Sequence, residues 1–187
     1  MLQAAAQPRG RTRQPGGNLT GGAPIIVTAL FAAPDDAWLQ GLRRTHFPPE
    51  RNQVPAHLTL FHHLPPGMEA ELGTRLAGLT AAPPPRAVIA GIQNLGRGTA
   101  FRVESADLEA MRAELADAFH GLLIPQDCAP WRPHVTIQNK VERGAARRLQ
   151  DELRATFAPR PLAIAGLQSW RYLGGPWEPL RRHPFRG

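Results

Sequence analysis

Two short segments of the chain repeat the same arrangement of a histidine and a threonine. One is His57-Leu58-Thr59-Leu60 and the other is His134-Val135-Thr136-Ile137, and a proline shortly precedes each of them. Because side chains alternate between the two faces of a β-strand, the histidine and the threonine of each segment share one face. The sequence therefore predicts two strands that each present an imidazole and a hydroxyl opposite their apolar packing face.

These residue types are suited to paired acid–base chemistry. Histidine has an ordinary pKa of about 6.5, so one imidazole can accept a proton while a second one donates a proton near neutral pH. A threonine two positions along a strand lies about 6.6 Å away at Cα, which lets its hydroxyl donate to an anion beside the imidazole. If the two strands meet, we expect His57, His134, Thr59 and Thr136 to form one active site with a bell-shaped pH profile.

A metal site is the alternative interpretation of the two histidines. Neither His57 nor His134 has a carboxylate neighbour on its strand face, and neither strand suggests a third ligand. Strict alternation places His62 on the strand face opposite His57, so the pair His62-His63 is not expected to extend the site. The sequence therefore predicts neither a metal nor a cofactor.

The elements around the two motifs follow the same order twice: strand, helix, motif strand, helix, strand. The ten predicted elements are a strand Ile25–Phe31, a helix from Pro34, the strand His57–His62, a helix with Leu72, Leu76 and Leu79, a strand Arg86–Gln93, a strand Thr99–Glu104, a helix capped by Ser105, the strand His134–Gln138, a helix with Leu149, Leu153 and Phe157, and one or two strands in Leu162–Tyr172. A repeated βαβαβ unit predicts a pseudo-twofold arrangement with the two histidines opposite one another. After Gly174-Gly175-Pro176 we expect an irregular, aromatic-rich tail.

Length and composition predict a single folded domain with a basic N-terminal tail. Residues 1–23 are rich in Gly, Gln and Arg without hydrophobic periodicity and are predicted to be disordered, and residues 24–187 form the domain, with halves of about 24–95 and 96–180. The net charge is +7, but six arginines near the ends contribute most of it, since the rest of the chain contains 16 basic and 15 acidic side chains. Charge alone therefore does not predict a nucleic-acid-binding protein.

Several classes of protein are excluded or made less probable by what the sequence contains. Cys128 is the only cysteine, so neither an intrachain disulfide nor a Cys-based zinc site can form. The longest nearly apolar run, residues 23–33, is too short to span a bilayer, and no secretory signal is recognisable. We expect a cytoplasmic monomer without an obligate protein partner.

The paired motifs resemble the two-histidine (2H) phosphoesterase superfamily, which includes bacterial 2′-5′ RNA ligase and cyclic phosphodiesterase proteins. Its defining pattern is two H-x-[ST]-x motifs, here starting at His57 and His134, and the context Arg132-Pro133 and Gly174–Trp177 is also similar. The resemblance covers roughly residues 25–185. It implies an α+β fold of duplicated βαβαβ units, with antiparallel sheets that form a two-lobed, pseudo-twofold cleft.

The resemblance also implies an activity. It is metal-independent hydrolysis of 2′,3′-cyclic phosphate or 2′-5′ phosphodiester bonds in RNA or small nucleotides, with two histidines as general acid and base and two threonines that bind phosphate. The partner would be an RNA end or a small nucleotide bearing a cyclic phosphate. The sequence does not say which histidine is the acid.

Substrate binding is less well defined by the sequence. Trp131 and Arg132 precede the second motif and could stack on a base and hold phosphate, and Tyr172 could line the cleft from the last strand. Core packing accounts equally well for Trp131 and Tyr172. Two other functions stay open: an RNA-binding protein with the same cleft but no turnover, and a phosphoesterase for a non-RNA cyclic phosphate such as an ADP-ribose derivative.

Overall fold

The fold is taken from a computed structural model, which describes residues 22–187. Residues 1–21 of the predicted N-terminal tail lie outside the described residues. The strands are β1 Ile25–Phe31, β2 Leu58–Leu64, β3 Val88–Asn94, β4 Thr99–Glu104, β5 His134–Gln138, β6 Arg160–Pro161, β7 Ile164–Tyr172 and β8 Trp177–Pro184. The helices are α1 Ala33–His46, α2 Glu69–Leu79, α3 Ala106–Ala118, the short α4 Pro125–Cys128 and α5 Arg143–Thr156.

All eight strands form one sheet in the order β6-β3-β4-β5-β2-β1-β7-β8, and every neighbouring pair is antiparallel. The order is symmetric about its centre, where β5 meets β2 through the single residue pair Leu58–Val135. The sheet therefore consists of two four-stranded lobes that join along the two motif strands. The predicted α+β class with antiparallel strands is confirmed.

The two lobes are not the two sequence halves. β3 belongs to the first half of the chain but pairs with β4, and β7 belongs to the second half but pairs with β1. Each repeat thus supplies its last strand to the lobe built by the other repeat. This exchange ties the halves into one structure and leaves β2 and β5 at the centre.

One face of the sheet packs against the helices. Leu58 and Leu60 of β2 and Val135 and Ile137 of β5 are fully buried there. The helices contribute apolar side chains at helical spacing to the same core, namely Leu39, Leu72, Leu76, Leu108, Leu115 and Leu149. Burial of one set of alternating residues fixes which face carries the polar residues of the motif strands.

Local signals account for the helix ends. Pro34 and two acidic residues occupy the first turn of α1, and the Ser105 hydroxyl accepts a hydrogen bond from the Leu108 amide at 3.1 Å at the start of α3.

None of the helices described for residues 22–187 combines the length and apolar character needed to cross a membrane.

The prediction for the C-terminal segment is wrong, because residues 177–184 form the strand β8 rather than an irregular tail. Its arginines and prolines conceal a strand pattern. Proline is tolerated on an edge strand, where only one side of the backbone must pair, and β7 supplies that partner along the length of β8.

Candidate active site

The two motifs meet in the middle of the sheet. Because Leu58 lies opposite Val135 in an antiparallel pair, one residue further in either direction His57 faces Thr136 and Thr59 faces His134. All four side chains line one cavity of about 350 Å³. The structure thus brings together the four residues that were predicted to form the active site.

Each motif histidine is held by the same hydrogen bond. Nδ1 of His57 lies 2.7 Å from the carbonyl oxygen of Pro55, and Nδ1 of His134 lies 2.8 Å from that of Arg132. A carbonyl can only accept, so Nδ1 carries the proton in both rings and Nε2 is the nitrogen free to react. The two motif histidines therefore have the same protonated nitrogen, and an equivalent hydrogen bond orients each ring.

The surroundings of His57 keep its ring neutral. Burial lowers the pKa of His57 to about 4, against the opposing effect of the hydrogen bond to Pro55 and with smaller contributions from neighbouring positive groups, Arg43 first among them. The indole of Trp177 in β8 packs against the imidazole, with ring centroids 4.6 Å apart and planes tilted by 48°. At neutral pH, His57 therefore presents an unprotonated Nε2, as a general base requires.

Arg43 of α1 links β5 to the loop that precedes β2. Its side chain is only 2% exposed and donates to the carbonyl oxygen of Thr136 at 2.7 Å, to that of Val54 at 3.0 Å and to Oδ1 of Asn52 at 2.8 Å. Burial lowers the pKa of Arg43 to about 10, so the guanidinium stays charged at neutral pH. Where the two lobes share a single strand pair, this side chain supplies a second link between them.

Sequence reasoning missed Arg43, although a signal was present. Asp35, Leu39 and Arg43 are spaced by four residues and all three are buried in α1. A charged residue on the buried stripe of an amphipathic helix indicates a paired or hydrogen-bonded role rather than a solvated one.

Comparison with known proteins gives the family. A sequence model described as the 2′-5′ RNA ligase superfamily matches residues 31–176, which is most of the chain and includes both histidine motifs. The chain belongs to the 2′-5′ RNA ligase superfamily. No curated protein sequence matches it closely enough to be named as a relative.

Solved structures share the fold of this superfamily member. TT0787 from Thermus thermophilus superposes with a TM-score of 0.61 at 18% identity, covering 88% of this chain and 98% of that one. A protein described as a phosphoesterase gives 0.57 at 20% identity, covering 89% and 99%. LigT from E. coli gives 0.54 at 18% identity, covering 88% and 99%. At these identities, the likeness supports the fold.

The three predicted substrate-binding residues have different positions in this superfamily member. Trp131 and Arg132 line the cavity, where the Trp131 indole donates to the carbonyl oxygen of Thr59 at 2.9 Å and the Arg132 side chain is exposed. Tyr172 lies outside that cavity, with 40% of its surface exposed, opposite Trp177 in the β7–β8 pair. The structure thus places Trp177, and not Tyr172, against a motif histidine.

The prediction for His62 is wrong, since its side chain lines the same cavity as His57 and Thr59. The register between β1 and β2 shifts between the pairs Thr28–Thr59 and Val27–Phe61, so β2 contains an extra residue there. Leu60 and Phe61 consequently both point into the core, and His62 lies on the face that strict alternation assigns to Phe61. This β-bulge brings a third histidine to the active-site face.

Two charged residues of the cavity were not predicted from the sequence, namely Arg112 of α3 and Asp127 of α4. Arg112 lies on a helix far from both motifs in the chain, and Asp127 lies in the segment before the second motif, where the sequence shows no periodic pattern. Among residues 22–187, no group of three or more His, Cys, Asp and Glu side chains is arranged to hold a metal ion.

Proposed function

We propose that this protein is a phosphodiesterase that opens 2′,3′-cyclic phosphates or cleaves 2′-5′ phosphodiester bonds in RNA or small nucleotides without a metal ion. One observation carries this proposal: two imidazoles and two threonine hydroxyls line the same cavity, and Nδ1 of each imidazole is hydrogen-bonded to a backbone carbonyl. These are an acid, a base and two donors for an anion, on two facing strands.

The geometry supports a division of roles between the two histidines. Nε2 of His57 is neutral and removes a proton from the attacking water as its oxygen bonds to phosphorus. On the other side, His134 in its protonated form gives its proton to the ribose oxygen as the phosphorus–oxygen bond breaks. The product is a phosphomonoester with a free ribose hydroxyl. The base ends protonated and the acid ends neutral, and proton exchange with solvent restores both.

The threonines stabilise the charge that develops on phosphorus. Thr59 faces His134 and Thr136 faces His57, so each hydroxyl lies beside the imidazole of the other motif and can donate to a non-bridging oxygen. Donors that are already in place need no reorganisation during the reaction. The two histidines occupy diagonally opposite positions among these four residues, which suits in-line displacement, in which attack and departure occur on opposite sides of phosphorus.

Ligands of a protein with the same fold support the nucleotide class of substrate. Crystal structures of E. coli LigT include complexes with 3′-AMP and with phosphate. A nucleoside 3′-phosphate is the type of product that opening a 2′,3′-cyclic phosphate yields. We therefore propose a nucleotide or an RNA end as the substrate of this chain.

The experiment that tests the proposal is a substrate panel assayed in EDTA. We expect turnover of a 2′,3′-cyclic mononucleotide, of an oligonucleotide ending in a cyclic phosphate, or of a 2′-5′-linked dinucleotide, at the same rate with and without chelator. A 3′-5′-linked dinucleotide is the negative control. Loss of activity in EDTA would contradict the metal-free reaction, and binding of these ligands without turnover would favour an RNA-binding role instead.

A further inference from the structure

The active-site cavity extends beyond the two motifs to a second group of polar side chains. His62 of β2, Arg112 of α3 and Asp127 of α4 line the far part of the same 350 Å³ cavity. The proposed reaction uses none of these three residues. Their contacts with one another show a fixed arrangement rather than solvated surface groups.

Asp127 holds His62 in one orientation. Its side chain is only 1% exposed, and its carboxylate accepts hydrogen bonds from the backbone amides of His62 and His63, both at 2.9 Å. The same carboxylate lies 2.9 Å from Nδ1 of His62. Burial alone would raise the pKa of Asp127, but the hydrogen bonds from His62 and His63 outweigh burial and leave this pKa below its ordinary value.

These contacts determine which nitrogen of His62 is free. Because the carboxylate is ionised and accepts from Nδ1, Nδ1 carries a proton and Nε2 is the nitrogen left for a ligand; Nε2 donates to an anion when it carries a proton as well. The His62 side chain is 41% exposed on the cavity side, whereas the carboxylate behind it is closed off from solvent. An anion at Nε2 would bind the protonated ring between two negative groups, which is favourable for an imidazolium.

Arg112 adds a fixed positive charge beside His62. Its Nε donates to the carbonyl oxygen of Leu60 at 3.0 Å, and its Nη2 donates to that of Asp127. The guanidinium lies over the rings of Phe61 and Trp131, 5.0 and 5.7 Å from their centroids. Within the described part of the chain, no carboxylate forms an ion pair with Arg112, so its charge is available to a ligand.

The second group is separate from the reacting centre. His62 is three positions beyond Thr59, which corresponds to at most about 10 Å along a strand at 3.3 Å per residue, somewhat less across the bulge. A span of this order leaves room in front of His62 for a second group of the substrate, beside a phosphate held between His57 and His134.

We propose that Nε2 of His62 and the guanidinium of Arg112 bind a second phosphate of the substrate, next to the one that reacts. The carboxylate of Asp127 is fully engaged, and the groups that remain are cationic or hydrogen-bond donors, so the subsite favours an anion. This inference rests on the proposed function and narrows the substrate to cyclic phosphates that carry another phosphate. That phosphate is either the preceding internucleotide phosphate of an RNA end or a 5′-phosphate on the same nucleoside.

The test compares substrates with one and two phosphates. Cytidine 2′,3′-cyclic phosphate has only the reacting phosphate, its 5′-phosphorylated form has a second one, and the dinucleotide CpC with a 2′,3′-cyclic end has an internucleotide phosphate. We expect the wild type to favour at least one two-phosphate substrate by about 10-fold or more in kcat/KM, as a charge-assisted hydrogen bond would give. Which of the two is favoured identifies the source of the second phosphate.

The decisive variant is His62→Ala, with His63→Ala as a matched exposed neighbour outside the cavity. In His62→Ala, kcat/KM should fall about 10-fold on the favoured substrate, mainly through KM, and stay within about twofold on cytidine 2′,3′-cyclic phosphate. His63→Ala should change neither value. Equal losses on both kinds of substrate, or a wild type that does not distinguish them, would overturn the proposal.

A binding measurement separates this proposal from the proposed function. If the wild type turns over none of these compounds, the phosphodiesterase assignment fails, but calorimetry with cytidine 3′-phosphate and cytidine 3′,5′-bisphosphate still tests the subsite. The bisphosphate should bind about 10-fold more tightly to the wild type and with no such advantage to His62→Ala. The same titration with the dinucleotide CpC ending in a 3′-phosphate tests an internucleotide phosphate. If the wild type binds the bisphosphate and this dinucleotide no more tightly than cytidine 3′-phosphate, a second phosphate subsite is refuted.

Discussion

His57 and His134 start the same H-x-T pattern and make the same kind of hydrogen bond at Nδ1, but of the two rings it is that of His57 that packs against Trp177. The sequence predicted the pair and could not say which member is the base. That distinction depends on burial and on an indole supplied by β8, the one long strand that the sequence pattern did not indicate. Residue types and spacing therefore predicted which side chains meet, and tertiary contacts make the surroundings of the two imidazoles different.

The first prediction concerns the pH profile. Because the base must be neutral and the pKa of His57 is about 4, kcat/KM on a cyclic nucleotide should hold as the pH falls below 6.5 and decline only near pH 4. Trp177→Ala exposes the ring to water, which raises the pKa of His57 and moves the acid limb toward pH 6.5.

The control for this measurement is Tyr172→Ala, since Tyr172 lies next to Trp177 in the sheet but outside the cavity. Tyr172→Ala should leave unchanged the pH at which kcat/KM declines on the acid side. A wild-type acid limb near pH 6.5 that Trp177→Ala does not move would show that His57 is not the base.

The second prediction concerns the hydroxyls of Thr59 and Thr136. Replacing either by valine keeps shape and strand preference but removes the donor to the developing oxyanion, so kcat should fall about 100-fold with a smaller change in KM. Thr59→Ser and Thr136→Ser keep a hydroxyl and should retain most of the activity. If both valine variants show wild-type kcat, the threonines do not stabilise the transition state.

At the scale of elements, the longer helices and most of the longer strands followed from apolar periodicity, whereas the short elements α4 and β6 did not, and neither did two features of β2 and β8. Residues 60 and 61 both point into the core, so strict alternation assigned His62 to the wrong face. A bulge needs an extra residue relative to a partner strand, and a single strand's sequence does not reveal that relation. Segment 177–184 pairs as an edge strand because β7 is available, although its own residues do not favour a strand.

Arg43 provides the prediction that belongs to this scale. Arg43→Met leaves the carbonyls of Val54 and Thr136 without their donor in a buried place, so the free energy of unfolding should fall by about 2–4 kcal/mol. The turnover number should fall as well, since the link between β5 and the loop before His57 is lost. Urea denaturation and steady-state kinetics measure the two effects.

Arg44→Met is the matched control, because Arg44 is the next residue of α1 and is exposed. It should change stability by less than about 0.5 kcal/mol. Equal stability and turnover in the Arg43→Met and Arg44→Met proteins would mean that Arg43 does not hold the loop before His57 against β5.

At the scale of the whole molecule, the proposed active site lies at the junction of two lobes that exchange their last strands. The repeat in the sequence predicted that the two histidines would meet, because a pseudo-twofold axis relates equivalent strands. The exchange of β3 and β7 could not be predicted, since pairing between distant strands is not contained in local periodicity. Each lobe supplies one histidine and one threonine, so neither lobe holds a complete site.

The central claim is that His57 and His134 act together as base and acid. The most direct measurement is the turnover of an oligonucleotide that ends in a cyclic phosphate, assayed in EDTA with His57→Ala, His134→Ala and the double variant. Each single change should lower kcat by about 1,000-fold or more. The double variant should be little worse than either, since the histidines work as a unit, and all three should retain oligonucleotide binding. Wild-type turnover by the His57→Ala, His134→Ala protein would contradict the account.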